Sequence, residues 1–352
     1  PPPPPPQMET GKAEQITDNI PQEIIEEILC RLPVKSLSRF KIISTCQGKL
    51  KACSLSSLLT EPVTRAFSFD FFSMYSSNDM VIVGSCNGLI CVLVDACRFF
   101  LLNPSTRESE ELPDFFTGAM FPKNVVSIRG YGFGFDESSG DYKVCAVCYM
   151  MFVFGSNMTF PSTARMYSLK ADSWGRNLFF KDVCIFGSAK FVSGKLHWIS
   201  DFKTKSKWDD VCFDLKSETF GIVKQTSYEN SDERRPKLEE LIRKNRAKRT
   251  LINYSPRLGV LKGYLCVFSG YSPTIMFDVW IWNEYGVEDS NYVTPLFVLP
   301  CGEVLFTYES DFFIHNKKDN YITQQHTVDF DRDRHGKAEV YTESLVSLAL
   351  DD

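Results

Sequence analysis

From about residue 80 onward the chain repeats one pattern: an aromatic and β-branched run entered through a Gly-containing turn, then a later run closed by a polar turn and a large apolar residue. The first unit goes from Gly84-Ser-Cys-Asn-Gly88 to Phe99-Phe-Leu-Leu-Asn103-Pro-Ser-Thr-Arg107 and Leu112-Pro113. The second runs from Gly132-Phe-Gly-Phe-Asp136 through Asp141-Tyr-Lys-Val-Cys145 to Trp174, the third from Phe191 to Phe220, and the fourth from Leu258 to Gly286. A weaker fifth lies between Cys301 and Leu348. Runs this short, bounded by Gly, Pro, Asn and Asp, are strands. Units recurring at about 40 to 60 residues are what radially repeated small antiparallel sheets leave in a sequence. The fold class is therefore mainly β with a β-propeller as the leading architecture; a β-sandwich with long loops is the competing reading. The length available fits five or six blades, with the strand Thr64-Arg-Ala-Phe67-Ser-Phe69-Asp-Phe71 expected to close the ring.

The N-terminal part follows other rules. After a Pro-rich tail, residues 1–19, expected to be disordered, Ile20, Ile24, Ile28 and Leu32 recur every four residues with Ile25 and Leu29 beside them. Glu23, Glu26 and Glu27 take the other faces, so the spacing predicts an amphipathic helix. Pro21 suits its first turn and Pro33 stops it. Val34, Leu37, Phe40 and Ile43 at spacing three predict a second, basic helix carrying Lys35, Arg39 and Lys41. A segment this small cannot bury its own apolar stripe, which makes it a docking element.

Bulk properties narrow the function. A net charge of -5 argues against a general nucleic-acid binder, which needs a basic field to displace counterions. No secretory signal is visible, and the longest apolar run, Val144 to Phe154, is too short to span a bilayer as a helix. The expected location is the cytoplasm, the nucleus or both, with no membrane partner. The twelve cysteines sit inside apolar stretches such as Leu-Ile-Cys91-Val-Leu and read as buried free thiols. Residues near 231–250 form a basic insert; eight Lys or Arg fall between Arg234 and Arg249, with Leu238, Leu241 and Ile242 on one side of a predicted helix.

Catalytic constellations are mostly absent. The four histidines show no metal-ligand spacing. Cys145-Ala-Val-Cys148 has redox spacing, but residues three apart on a strand point to opposite faces. Gly130-Tyr-Gly132-Phe-Gly134-Phe leads into another strand instead of opening a helix, so it reads as part of a hairpin and not a dinucleotide loop. Asp329-Phe-Asp331-Arg-Asp333 lacks the glycine and the glutamate that a calcium loop requires. No metal and no cofactor are expected.

Taken together, these residues resemble the plant F-box proteins that carry an F-box-associated, kelch-like domain. Ile20-Pro21…Ile24…Ile28-Leu29-Cys-Arg-Leu32-Pro33-Val-Lys-Ser-Leu37-Ser-Arg39-Phe40 is similar to the first half of an F-box. Asn103-Pro-Ser-Thr-Arg107, Gly132-Phe-Gly-Phe-Asp136…Asp141-Tyr-Lys-Val144, Tyr167-Ser-Leu…Ser173-Trp174, Gly194-Lys-Leu-His-Trp198 and Val279-Trp-Ile-Trp-Asn-Glu-Tyr285 resemble successive signatures of the associated domain, and Tyr341-Thr-Glu-Ser-Leu-Val346-Ser its ending. The resemblance implies an F-box at residues 20–62 and a β-propeller at residues 63–352. It also implies a non-catalytic substrate receptor of a cullin-based, SCF-type ubiquitin ligase. Ile20, Pro21, Ile24, Ile28, Leu29, Leu32, Pro33 and Leu37 would then meet a Skp-type adaptor and, through it, a cullin scaffold, while the C-terminal domain holds a protein substrate. The second half of this F-box is atypical: Thr45-Cys46-Gln47-Gly48-Lys49-Leu50 stands where the family has a lysine, a tryptophan and a third helix, and Leu55-Ser-Ser-Leu58-Leu59-Thr-Glu-Pro62 is the candidate replacement. The alternative reading is a propeller scaffold with a degenerate F-box and no ligase link. Candidate specificity loops are Pro113 to Arg129, Phe154 to Thr163 and Thr226 to Tyr254.

Overall fold

The computed structural model describes residues 39–46, 49–71, 80–116, 128–149, 152–154, 157–159, 162–180, 185–201, 208–223, 257–261, 264–271, 276–281, 286–288, 294–298, 303–308, 311–316, 321–328, 330 and 338–348. Their strands form a ring of six antiparallel blades. The first blade is Met80–Cys86, Leu89–Val94, Arg98–Asn103 and Glu108–Glu111. The second is Ile128–Asp136, Asp141–Tyr149, Ser162–Ser168 and Ser173–Trp174; Leu178–Phe180 pairs with the start of its third strand, and Gly187–Ser188 joins its inner strand in parallel. The third blade is Lys190–Val192, Lys195–Asp201, Trp208–Asp214 and Thr219–Val223, and the fourth is Arg257–Leu261, Tyr264–Tyr271, Met276–Ile281 and Gly286–Glu288. The fifth is Thr294–Val298, Val304–Tyr308, Asp311–Asn316 and Tyr321–Val328. The four strong sequence units correspond to the first four blades, and the weak fifth unit to the fifth blade plus the strand that closes the ring.

Closure joins the two ends of the chain. The sixth blade takes its innermost strand, Ala338–Thr342, from the C-terminal region and the next two, Phe40–Cys46 and Lys49–Ser54, from the N-terminal region; Phe67–Phe69 is outermost. Phe40 pairs with Thr342 and Ser44 with Ala338 on one side, while Lys41 pairs with Ser54 and Cys46 with Lys49 on the other. This corrects the expected second docking helix: Phe40 and Ile43 lie in a strand. Cys46 pairs with Lys49, on either side of the position where the family pattern has its tryptophan.

The apolar pattern explains the preference. Ile42 enters the core between the fifth and sixth blades and Ile43 the core between the sixth and first, both without solvent exposure. A strand covered on both faces needs consecutive apolar residues, as Leu89–Val94 also shows, being buried throughout. The short helix Leu55–Thr60 is capped by Ser54, whose hydroxyl accepts from the Ser57 N–H at 3.4 Å. Its Leu55 and Leu58 sink into the core between the fifth and sixth blades, so this candidate replacement for the missing F-box helix faces the propeller. The expected closing strand 64–71 divides likewise: Val63–Arg65 pairs in parallel with the outer strand of the fifth blade, and only Phe67–Phe69 joins the sixth.

Glycines set the blade spacing at one place. Gly130, Gly132 and Gly134 alternate along the inner strand of the second blade, and a Cβ on Gly132 would sit 2.8 Å from Ala189 Cβ and 2.9 Å from Leu196 Cδ1. Here the inner edge of the third blade approaches the backbone too closely for a side chain. Across the central axis, Lys190 of the third blade meets Glu339 of the sixth at 2.6 Å, linking blades on opposite sides of the ring. Among the described residues no helix is long and apolar enough to cross a membrane.

Candidate functional site

The antiparallel order gives the ring two unlike faces. Turns between the first and second strands, and between the third and fourth, lie on one face; connections between the second and third strands, and from blade to blade, leave from the other. The turn face is tight and internally wired. Asn87 and Gly88 both have positive φ, 50° and 89°, the geometry of a two-residue hairpin turn. Asn103, Asp136 and Asp214 accept backbone N–H groups of the turns that follow them, from Ser105 at 2.9 Å, Ser138 at 3.0 Å and Ser217 at 2.9 Å.

Both ends of the described chain meet on this turn face. The Arg39 carbonyl accepts from the Glu343 N–H at 2.8 Å, and Lys41 lies 3.7 Å from Glu343. From there residues 343–348 run as a strap onto the first blade. Asn103 Nδ2 donates to the Ser344 carbonyl at 3.1 Å and to the Val346 carbonyl at 2.6 Å; the Leu348 N–H donates to Glu108 at 3.3 Å. Two separate sequence signatures, Asn103-Pro-Ser-Thr and Tyr341-Thr-Glu-Ser-Leu, therefore touch each other.

The other signatures also join blades. Lys143 of the second blade donates to the Leu215 carbonyl of the third at 2.8 Å and pairs with Asp136 at 3.2 Å and Glu218 at 3.4 Å. Trp198 Nε1 of the third blade donates to the Tyr131 carbonyl of the second at 3.2 Å. Trp174 Nε1 of the second donates to the Pro113 carbonyl, just beyond the first, at 2.7 Å. Arg165, which the sequence reading passed over, donates to the carbonyls of Phe115, Gly175 and Trp174. Its signal is visible afterwards: it is the first charge after Lys143, in an otherwise uncharged stretch.

Asp136 is the most perturbed carboxylate on this face. Burial opposes its ionisation, but hydrogen bonds from Ser138, Ser139 and Lys143 outweigh burial and hold it well below the usual carboxylate range. A depressed folded-state pKa stabilises the fold above the unfolded value of about 4, and that stability is lost as pH falls further. Thermal unfolding between pH 6 and pH 3 should therefore show a falling midpoint. Asp136→Asn should be destabilised by about 1.5–3 kcal/mol at neutral pH and show a flatter acid dependence; an unchanged slope would remove Asp136 from this role.

The opposite face carries the candidate specificity loops. Pro113 to Arg129 leaves the first blade and enters the second there, anchored at its start by Phe115, which is buried against Trp174. Phe154 to Thr163 falls mostly in the connection between Tyr149 and Ser162 of the second blade, where Phe152–Phe154 pairs with Asn157–Thr159. Thr226 to Tyr254, with the basic insert, lies outside the described residues; the flanking strands end at Val223 and start at Arg257 on this same face. Exposed Phe179, Phe186 and Ile222 belong to this side of the second and third blades. Between those blades, Arg176–Phe180 and Glu218–Phe220 line an open groove of about 570 Å³.

Cys145, Cys148 and His197 are built into the blades. Cys145 belongs to the core between the second and third blades and Cys148 to the core between the first and second, so the two thiols face opposite ways; burial pushes Cys148 up to about 12. His197 Nδ1 lies 3.1 Å from Asp210 inside the third blade. Among the described residues no three His, Cys, Asp or Glu side chains group as a metal site. The Asp329–Asp333 stretch falls outside the described residues except for Phe330, which is buried in the core between the fifth and sixth blades. The adaptor-binding candidates Ile20, Pro21, Ile24, Ile28, Leu29, Leu32, Pro33 and Leu37 all lie outside them.

Comparison with known proteins agrees with this architecture. The model of the F-box associated beta propeller domain matches residues 41–317. The F-box/kelch-repeat protein At3g23880 of Arabidopsis thaliana is 24% identical, the match covering 94% of this chain and 96% of that one. The F-box protein CPR1 of the same plant is 26% identical over 77% of this chain and 71% of its own, and the F-box protein At3g07870 25% identical over 78% and 71%.

Proposed function

The chain belongs to the plant F-box proteins with an F-box-associated β-propeller domain, and from that premise we propose that it is the substrate-recognition subunit of a cullin-based, SCF-type ubiquitin ligase. The propeller holds a client protein on the face of long connections, and the N-terminal segment docks on a Skp-type adaptor. On this reading the chemistry belongs to the ubiquitin-conjugating partner. The same reading places it in the cytoplasm, the nucleus or both.

The observation that carries the reading is the geometry of the exit: the chain leaves the closing blade at Arg39, on the face opposite the long connections, so an adaptor and a client need not compete for one surface. The match to the kelch-repeat relative supports the docking part. It leaves 6% of 352 residues outside, about 21, which is fewer than the 23 that precede Ile24, so Ile24 to Leu37 falls within it. Burying four or five Ile or Leu side chains contributes about 6–15 kcal/mol, against an association cost of about 4–15 kcal/mol.

That balance admits a second reading, a propeller scaffold without a ligase link, favoured by one observation. Residues 40–54 are committed to the closing blade, so the docking segment ends by Arg39. Co-purification with a Skp-type adaptor separates the two. The unmodified chain is expected to bind, and Ile28→Asp or Leu32→Asp to bind at least about tenfold more weakly, as expected for losing 1.5 kcal/mol or more. Absence of binding by a normally melting unmodified chain would establish the scaffold reading.

A further inference from the structure

We propose that the outer edge of the third blade, Thr219–Val223, takes up a short extended segment of the client as an added strand. The inference rests on the receptor reading above and gives its client a chemical class.

An outermost strand carries N–H and C=O groups without a ladder on one side, and natural proteins guard such edges with charge, brevity or cover. The other outer edges of this ring are guarded. The first blade ends in Glu108–Glu111, which carries Glu108, Glu110 and Glu111, and the fifth is covered by Val63–Arg65. The second ends in two short pieces, Ser173–Trp174 and Leu178–Phe180, and the fourth and sixth in Gly286–Glu288 and Phe67–Phe69, of three residues each. Thr219-Phe-Gly-Ile-Val223 has five residues and no charge, and no described strand pairs with its far side. Such an edge is a template for another strand.

The groove beside the edge selects the side chains. Phe220 and Ile222 lie opposite Phe213 and Val211, which belong to the core between the second and third blades, so both point toward the second blade. Leu178–Phe180 faces them from that blade. Phe180 meets Phe220 with ring centroids 4.1 Å apart, and the two segments wall the groove of about 570 Å³. Phe179 in its wall is 70% exposed and Ile222, just beyond it, 53%. A strand added to Thr219–Val223 directs every second side chain to this same side. The occupant is therefore an extended segment with apolar residues at alternate positions: its main chain bonds the edge and its side chains fill the groove.

Size separates that occupant from a folded one. Eight residues line the groove, whereas a stable interface between folded partners takes about 20–30 residues a side. A second copy or a folded client domain needs more surface than this, and a linear segment does not. Position agrees with the client reading as well: the strand leaves the turn face after Glu218 and reaches the face of long connections at Val223.

The test uses the full chain and synthetic peptides of the form Lys-Thr-X-Thr-X-Thr-X-Lys, with X as Val, Ile, Leu or Phe, and copies N-methylated on the backbone of either alternate set of residues. At least one peptide is expected to bind with a dissociation constant of about 100 μM or tighter and to slow amide exchange within 219–223. N-methylation of one set should weaken it at least about tenfold and of the other set leave it unchanged, because only alternate residues of an added strand bond their neighbour. Ile222→Lys and Phe179→Asp should each weaken binding at least about tenfold, with unfolding midpoints at the parent value. No binding by any of the peptides, or the same response to both N-methylated sets, overturns the inference. Slow exchange of every amide of 219–223 in the free chain also overturns it, because the chain then covers its own edge. So does dimerisation of the unmodified chain that Ile222→Lys abolishes, which assigns the edge to a second copy. Adaptor co-purification, read in parallel, separates the two proposals. Adaptor binding without peptide binding overturns the edge site alone; peptide binding without adaptor binding upholds the edge site and removes the ligase reading.

Discussion

Replacing Ile43 with aspartate is expected to unfold the propeller. The side chain has no solvent exposure and packs with Leu50, Ala52, Ile82 and Val92 where the ring closes. Losing a buried isoleucine removes about 2–5 kcal/mol, and an unpaired carboxylate in the same place adds a desolvation penalty of several kcal/mol. Domains of ordinary stability have only about 5–15 kcal/mol to lose. Circular dichroism melting should show no cooperative transition at the parent temperature, whereas Ile28→Asp, in the proposed docking segment, should melt like the parent. The contrast is a direct test of where the docking module ends. If Ile43→Asp melted normally and lost only adaptor binding, Phe40 to Cys46 would be a docking helix after all.

Deleting residues 338–352 is expected to be as damaging, by another route. The deletion takes away the innermost strand of the sixth blade, and with it the backbone ladder to Phe40–Ser44, buried Ala338, Tyr341 and Leu348, and the Lys190–Glu339 link across the axis. It leaves Phe40–Cys46 as an edge strand with unpaired N–H and C=O groups and an apolar face open to water, the arrangement that promotes aggregation. The expected outcome is an aggregating product, or a monomer in which amides 40–46 exchange with solvent at rates near those of an open chain. A synthetic peptide spanning 336–348 should restore protection when added. Parent-like exchange in the truncated chain would show that ring closure does not depend on this strand.

Much of the propeller was legible because its blades are local. A blade is four strands joined in order, so Gly84 to Leu112, or Gly132 to Trp174, carries its own turns and alternation. The opposite facing of Cys145 and Cys148 follows from strand periodicity in the same way. The candidate client face was legible only in part. The loops stand out as stretches between units, but nothing in a loop says which other loops leave from the same face.

The blade-joining residues were legible as signatures but not by role. Lys143 binds a carbonyl of the next blade at Leu215, and Asn103 binds carbonyls more than 200 positions away. Local spacing contains neither relation. The resemblance pointed to these positions, and the structure shows that they hold the scaffold together.

The sequence by itself determined the class of the protein: short β units, their number within one, and the family to which the chain belongs. Only the tertiary structure decided where the propeller begins. Phe40 and Ile43, read with Val34 and Leu37, continue a helical spacing. Their actual partner is Ala338–Thr342, from the other end of the chain. A strand buried on both faces has no alternation to announce it, and its hydrogen bonds go to residues that no local window contains, so the closed ring had to fix its identity.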